Sequence, residues 1–136
     1  MSRQTFKNQK GVASLIVVIS LSTIVFMISF SMTIISFWQL MKAKDNFDSL
    51  SAYYSAYSGI EDALLKLERN INLNGSYNLS VINPDDVTVN VLNTGSSAQI
   101  SSISSYNENY RKFKAEASID SETGLVTVIS IVEEVY

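Results

Sequence analysis

Residues able to do chemistry are few in this chain, and their spacing limits what that chemistry is. Carboxylates that invite a reading as a site are Glu61 with Asp62, Asp85 with Asp86, and Asp120 with Glu122 ahead of Gly124. Paired acids serve general acid–base catalysis when both face one substrate, and clustered ones hold calcium when six or more oxygens converge. Glu61 and Asp62 are neighbours on a helical stretch and project about 100 degrees apart, so they share no substrate. The other two groups fall short of a calcium loop's ligand number and stand where turns take Asn, Asp, Pro and Gly. Cysteine and histidine are both absent. That removes disulfides, thiolate and imidazole metal ligands, and Cys-His or Ser-His nucleophile pairs. No glycine-rich phosphate loop is present either. The expectation is a non-enzyme with no catalytic residues, no cofactor and no metal.

Hydropathy supplies the elements that carry these residues. From Val12 to Met41 the chain reads VASLIVVISLSTIVFMISFSMTIISFWQLM, with no charge between Lys10 and Lys42. As a helix this run is roughly 45 Å long, against a bilayer hydrocarbon core of about 30 Å. A soluble domain of this size has no interior that could enclose a helix apolar on every face. The segment therefore reads as a membrane span with length left over. Arg3, Lys7 and Lys10 precede it and the acids follow it, so the net charge of −3 and isoelectric point near 4.8 hide a polarity. An excess of Lys and Arg marks the cytoplasmic flank, which puts the N-terminus inside and the folded part outside. The acidic remainder argues against nucleic acid as a direct partner.

Hydroxyls recur inside the apolar run, at Ser14, Ser20, Ser22, Thr23, Ser29, Ser31, Thr33 and Ser36. Such residues bond back to their own helix and let apolar helices approach closely. Phe37 and Trp38 stand near the outer end, where aromatics prefer the membrane interface. Beyond Lys42 the chain turns amphipathic without a break: Phe47, Leu50, Tyr54, Tyr57, Ile60, Leu64, Leu67 and Ile71 recur at steps of three and four. Lys44 with Asp48, and Asp62 with Lys66, are spaced for weak surface pairs. One helix from about Ala13 to Asn70 would measure roughly 85 Å. It is expected to stop in Asn70–Gly75, where asparagine and glycine offer left-handed cap geometry.

Five β-type runs follow: Ser76–Ile82, Val87–Leu92, Gln99–Ser105, Tyr110–Ile119 and Leu125–Glu133. Asn83-Pro84-Asp85-Asp86, Asn93-Thr94-Gly95, Asn107-Glu108-Asn109 and Asp120 to Gly124 punctuate them as turns. In the fourth run Phe113, Ala115, Ala117 and Ile119 alternate with Lys112, Lys114 and Glu116, the pattern of a half-buried antiparallel strand. The stripe of Tyr54, Ile60, Leu64 and Leu67 is the expected cover for that sheet. The fold class read here is α+β: a long N-terminal membrane-spanning helix whose amphipathic half packs on a small antiparallel sheet.

Two motifs carry a resemblance. The stretch from Gln9 through Lys10, Gly11 and Val12 to Val18 resembles the processing site of type IV pilins and pseudopilins, and Tyr57 to Leu64, with Gly59, Ile60, Glu61, Ala63 and Leu64, resembles a helix motif of PilX-like minor pilins. The resemblance implies a leader over residues 1–11, cut between Gly11 and Val12 by a prepilin peptidase, with N-methylation of Val12. A glycine there lets the backbone extend into a protease cleft, and Gly59 also reads more simply as a site of close backbone packing. The same resemblance assigns residues 12–41 to a filament-core helix, 42–74 to the amphipathic helix and 75–136 to the sheet. Its implied partners are other pilins or pseudopilins and the inner-membrane assembly platform, with the chain first in the cytoplasmic membrane and then in an extracellular filament at the cell surface. Most pilins carry glutamate at the position of Ile16, and its loss marks some minor members, which makes a minor subunit the expectation. The only proline, Pro84, lies outside the apolar half, unlike many major pilins. The alternative is a single-pass anchored protein with a small extracellular binding module.

Overall fold

One helix, α1 (Thr5–Arg69), precedes five strands: β1 (Gly75–Leu79), β2 (Val87–Asn93), β3 (Ser97–Tyr106), β4 (Asn109–Ile119) and β5 (Val126–Glu134). The computed structural model describes the backbone of residues 5–82 and 86–134, and side chains from residue 13 onward within those limits. The turn expected at Asn83-Pro84-Asp85 lies outside the described residues. Two compact units make up the chain, Met1–Ala43 and Lys44–Tyr136.

In the first unit the described residues, Ala13 to Ala43, are helical and exposed. They belong to the single helix long and apolar enough to cross a membrane among the described residues.

The second unit is a helix on a meander. Its sheet runs in the order β1-β2-β3-β4-β5 with every pair antiparallel, because each connection is a short return between neighbours. Between β3 and β4, Asn107 and Glu108 take φ of 45° and 68° and close the pair Tyr106 and Asn109. Two successive positive φ angles give the mirror-image turn that matches strand twist. At the last hairpin the Asp120 carboxylate accepts from the Glu122 N–H at 2.9 Å and the Thr123 hydroxyl at 2.7 Å, with Gly124 at φ 72°. Asp120 thus organises a turn. Asp86 does similar work, accepting from the N–H groups of Val81 and Ile82 at 2.9 Å each.

The inner face of the sheet carries Val87, Val89 and Val91 of β2, Ala98, Ile100, Ser102 and Ser104 of β3, and Phe113, Ala115, Ala117 and Ile119 of β4, all buried. The alternation expected for the fourth run is the one observed. The serine-rich third run is a ten-residue strand. Serine succeeds there because two of its side chains point at the helix, where little room remains.

The helix stripe differs from the sequence expectation. Ile60 and Leu67 are buried and Tyr57, Leu64 and Ile71 half-buried, but Phe47, Leu50 and Tyr54 are exposed at 63%, 52% and 59%. The face on the sheet is Asp48, Ser51, Ala52, Ser55, Ala56, Gly59, Ile60, Ala63 and Leu67. Hydrophobic periodicity selects the large residues, whereas close approach of a helix to a sheet selects the small ones, and here the second requirement prevails. Asp48 accordingly turns inward and forms no salt bridge with Lys44.

The helix end also departs from expectation. The helix stops after Arg69, and none of Asn70, Asn72 and Asn74 has a positive φ; of the expected cap residues only Gly75 does, at 123°, and it opens β1 rather than closing the helix. Instead the Asn70 side chain accepts from the Asn72 N–H at 3.1 Å, and Asn93 reaches over from β2, donating to the carbonyls of Ile71 at 2.6 Å and Leu73 at 3.2 Å. These bonds fix the turn that follows the helix, whose last amide bond runs from the Asn70 N–H to the Lys66 carbonyl at 2.9 Å.

Polar ties fix the helix along its length. Arg111 of β4 donates to Ser49 at 2.6 Å and pairs with Glu133 of β5 at 2.8 Å. Near the other end the Asp62 carboxylate accepts from the Tyr77 hydroxyl at 2.8 Å and pairs with Lys66 at 2.8 Å, while the Lys66 ammonium sits 3.7 Å from the Tyr77 ring centroid. Burial alone would raise the Asp62 carboxyl, but the bonds from Lys66 and Tyr77 outweigh it and hold the group below its usual range. Burial, then the Asp62 bond and charge, push the Tyr77 hydroxyl well above its ordinary value. A carboxyl lowered on folding adds stability that is complete above its unfolded pKa and lost as pH falls through the folded one. A raised phenol adds stability that is complete below pH about 10 and lost above it. Tyr77→Phe is therefore expected to lower the melting temperature at pH 7 and to flatten its fall in acid below pH about 4 and in strong alkali. Circular-dichroism melts from pH 2 to 11 check this, and parallel curves for the two proteins would contradict it.

Candidate functional site

Among the described residues no group of three or more His, Cys, Asp or Glu could hold a metal ion, and the largest uncommitted feature is a surface. Its main part is the helical run Ala13–Met41. Leu15, Ile16, Val17, Val18, Leu21 and Phe26 are each at least 58% exposed, and the pattern continues to Trp38 at 61% and Leu40 at 68%. These side chains find nothing to bury against within the unit.

Six hydroxyls of this run look inward to their own backbone. Ser20, Thr23, Ser29, Ser31, Thr33 and Ser36 donate to the carbonyls of Ile16, Ile19, Val25, Met27, Ser29 and Met32, four residues earlier, at 2.8 to 2.9 Å. A polar group satisfied in this way does not oppose an apolar surrounding, whether lipid or another helix. Phe26 and Phe30 stack one turn apart, with ring centroids 6.3 Å apart. What remains outside the helix is mainly hydrocarbon and aromatic surface, with Ser22 and Gln39 the polar exceptions, suited to lipid or to packing against a like helix.

Ile16 is 58% exposed in this run, with its carbonyl taken by Ser20. Its side chain has neither charge nor hydrogen-bonding capacity, so it cannot neutralise a neighbouring amine. Gly11 and Val12 fall within the backbone span of α1, but their side chains lie outside the described residues.

The second motif sits in the Lys44–Tyr136 unit and is taken apart by the fold. Gly59, Ile60 and Ala63 are buried against the sheet, Leu64 is half-buried and Glu61 is exposed. A Cβ on Gly59 would lie 2.2 Å from the Ser102 Oγ, 2.8 Å from Val87 Cγ1 and 3.0 Å from Val89 Cγ2. Only hydrogen fits there. Asp62 and Glu61 diverge as their spacing requires, Asp62 toward Tyr77 and Lys66. The motif is thus a packing device in this fold.

Sequence reasoning passed over the residues that set this contact: Ser51, Ala52, Ser55, Ala56 and, across from them, Ser102 and Ser104. A signal was present, since Ser51-Ala52, Ser55-Ala56 and Gly59 repeat small residues every four positions. The hydroxyls of Ser55, Ser102 and Ser104 are buried with no hydrogen-bond partner. Their value at these positions is small volume.

The outer face of the sheet has one open recess of about 380 Å³, lined by Asn90, Leu92, Gln99, Ser101, Lys114 and Glu116 among others. Gln99 and Glu116 are joined across it at 3.4 Å. No family model, curated protein or solved structure matches this chain.

Gly59→Ala is expected to destabilise the folded unit by about 1–3 kcal/mol despite alanine's better helix propensity, because the added methyl overpacks a filled interface. Ser102→Ala removes an unpartnered hydroxyl together with the closest contact, so it is expected to be neutral or stabilising and to recover part of the loss in the double variant. Thermal or urea unfolding of the four proteins measures the coupling. Simple additivity would rule out the contact as its source.

Proposed function

We propose that this chain is a minor structural subunit of a type IV pilus-like or pseudopilus-like filament. In this reading the chain is held in the cytoplasmic membrane by its apolar helix, cut between Gly11 and Val12, and built into a filament through the same helix. The supporting observation is the exposed, uncharged run Ala13–Met41, hydrogen-bonded within itself, directly after a basic tail that ends in glycine. A helix of that surface is stable in lipid and equally able to pack among its own kind. The folded unit would decorate or cap the fibre. Its partners would be other pilins, a prepilin peptidase and an assembly platform. The reading assigns the chain no catalytic role.

Ile16 sharpens the reading to a minor rather than bulk subunit. A buried carboxylate that pairs with a neighbour's amine is costly unless both are present, and a chain without one cannot take that place repeatedly. The second reading, a single-pass protein with a small outer binding module, draws on the outer-face recess between Gln99 and Lys114.

Intact-mass measurement of the membrane-extracted chain separates the two. Loss of Met1 to Gly11 with one added methyl on Val12 is expected for the filament subunit. A retained leader, with the chain missing from sheared surface appendages, would overturn it. Gly11→Trp is expected to block processing and leave the longer chain on a gel; unchanged mobility relative to wild type would contradict that. Ile16→Glu is expected to raise incorporation from rare to repeated positions, counted by immunogold along fibres, and unaltered spacing would refute the role given to Ile16.

A further inference from the structure

Strand β5 (Val126–Glu134) closes the sheet order and pairs only with β4, so one of its backbone edges has no partner among the described residues. Proteins usually blunt such an edge by keeping it short or by placing lysine or proline on it. At the opposite end of the sheet β1 is treated that way, with five residues and polar Ser76 and Asn78. β5 is not: it has nine residues, and from Leu125 to Val132 there is neither charge nor proline. Leu125, Ile129 and Val132 are 64%, 64% and 58% exposed.

The register makes both faces of β5 apolar. Glu116 pairs with Ser130 and Ala117 with Val128, so Ile129 faces no residue of β4. This bulge keeps Val126, Val128 and Ile131 on the face of Ile119, Ala117 and Ala115, where the helix leaves Val128 and Ile131 exposed. Ile129 and Val132 add the remaining exposed apolar surface. A run apolar on both faces, long and without gatekeeper charges, is an edge left open to pairing. The only acids of β5, Glu133 and Glu134, are already paired with Arg111, Lys112 and Lys114 of β4, so they offer no charge to an incoming partner.

We propose that the free edge of β5 receives an extended, uncharged, apolar strand from a different membrane-held subunit of like orientation, which continues the sheet as a sixth strand. Alternating N–H and C=O groups along an edge are matched only by another extended backbone. The neutral stretch Leu125–Val132 calls for a neutral occupant.

Two copies of this chain fit less well. Paired β5 edges close about a twofold axis as antiparallel neighbours, with the axis normal to the sheet. That operation reverses the helix segment Lys44–Arg69 in the second copy, so the two Lys44 ends, from which the chain continues into the apolar run, point opposite ways. Head-to-tail pairing with β1 sets a five-residue strand carrying Ser76, Tyr77 and Asn78 against a nine-residue one and leaves nearly half of β5 uncovered. A nine-residue strand is about 30 Å long, and one added strand buries less than the roughly 800 Å² per partner of a standard interface. Free chains would therefore pair weakly, whereas subunits confined to one membrane or fibre have the local concentration to pair.

The inference rests on the filament reading, and its test keeps the two apart. Full-length chain carrying p-benzoylphenylalanine in place of Val132, and separately in place of Ser76 on β1, is illuminated in native membranes and in sheared appendages. The expected result is an adduct at position 132 whose crosslinked peptide maps to a sheet-edge strand of another leader-bearing chain. It should fall at least tenfold on adding Ile129→Lys, and position 76 should give none. An adduct of twice the chain mass, equal yields at both positions, or no adduct would overturn the inference. Amide exchange of the unmodified chain provides a second measurement that needs no substitution: β5 amides should be protected in appendages and exchange freely in detergent, and equal exchange counts against it. If the leader is cleaved and the chain enters appendages while β5 stays free, only this inference fails. A retained leader with no chain in appendages removes the filament reading first.

Discussion

The contact between Gly59 and the inner face of the sheet sets the terms for the rest of the folded unit. With only hydrogen at that position, the helix backbone comes close enough that Ser102 and two valines of β2 fill all remaining space. The neighbours on the helix must then be small as well, and Ala52, Ser55, Ala56 and Ala63 are. So must those of the strand opposite, which explains serines at the centre of a sheet. Packing at this distance recovers dispersion energy over a long strip, at the expense of three hydroxyls left without partners. A domain without disulfides gains much of its definition from such a fit.

Large aromatic residues are consequently displaced to the flanks. Tyr53 and Tyr57 meet Phe113 edge-on, with centroids 5.0 and 5.9 Å apart, and close one side of the core. Tyr77, Asp62 and Lys66 close the other through hydrogen bond, ion pair and cation–ring contact. Helix and sheet are thus clamped along both margins, and β5 lies beyond the reach of that clamp. The exposure of its apolar residues is a direct result of the narrow footprint of a helix seated this low.

Much of the architecture was legible in the sequence because it rests on local rules. Charge-free length identified the apolar helix, period-two alternation identified β4, and turn residues at Asn107-Glu108 and Asp120–Gly124 separated the strands. Three features were less legible, each for a physical reason. Which face of the helix meets the sheet depends on clearance rather than hydrophobicity, so the stripe through Phe47, Leu50 and Tyr54 misdirects. How the turn after the helix is held depends on Asn93, more than twenty positions downstream. The uncovered edge of β5 reflects sheet order, which no local pattern encodes. For the candidate site, the apolar surface and the identity of Ile16 could be read directly, whereas Gly59 took on its packing role only once Ser102 was found opposite.

The back-bonded hydroxyls of the apolar helix have a thermodynamic corollary. Because each acceptor lies one turn away on the same helix, every one of these bonds travels with the segment. Moving it between hydrocarbon and a protein environment need neither break nor make a hydrogen bond at those positions. The preference for one medium over the other then falls to shape and contact area alone, quantities that a few methyl groups can tune. A segment built this way presents no unpaired hydroxyl at those six positions to whatever apolar medium surrounds it.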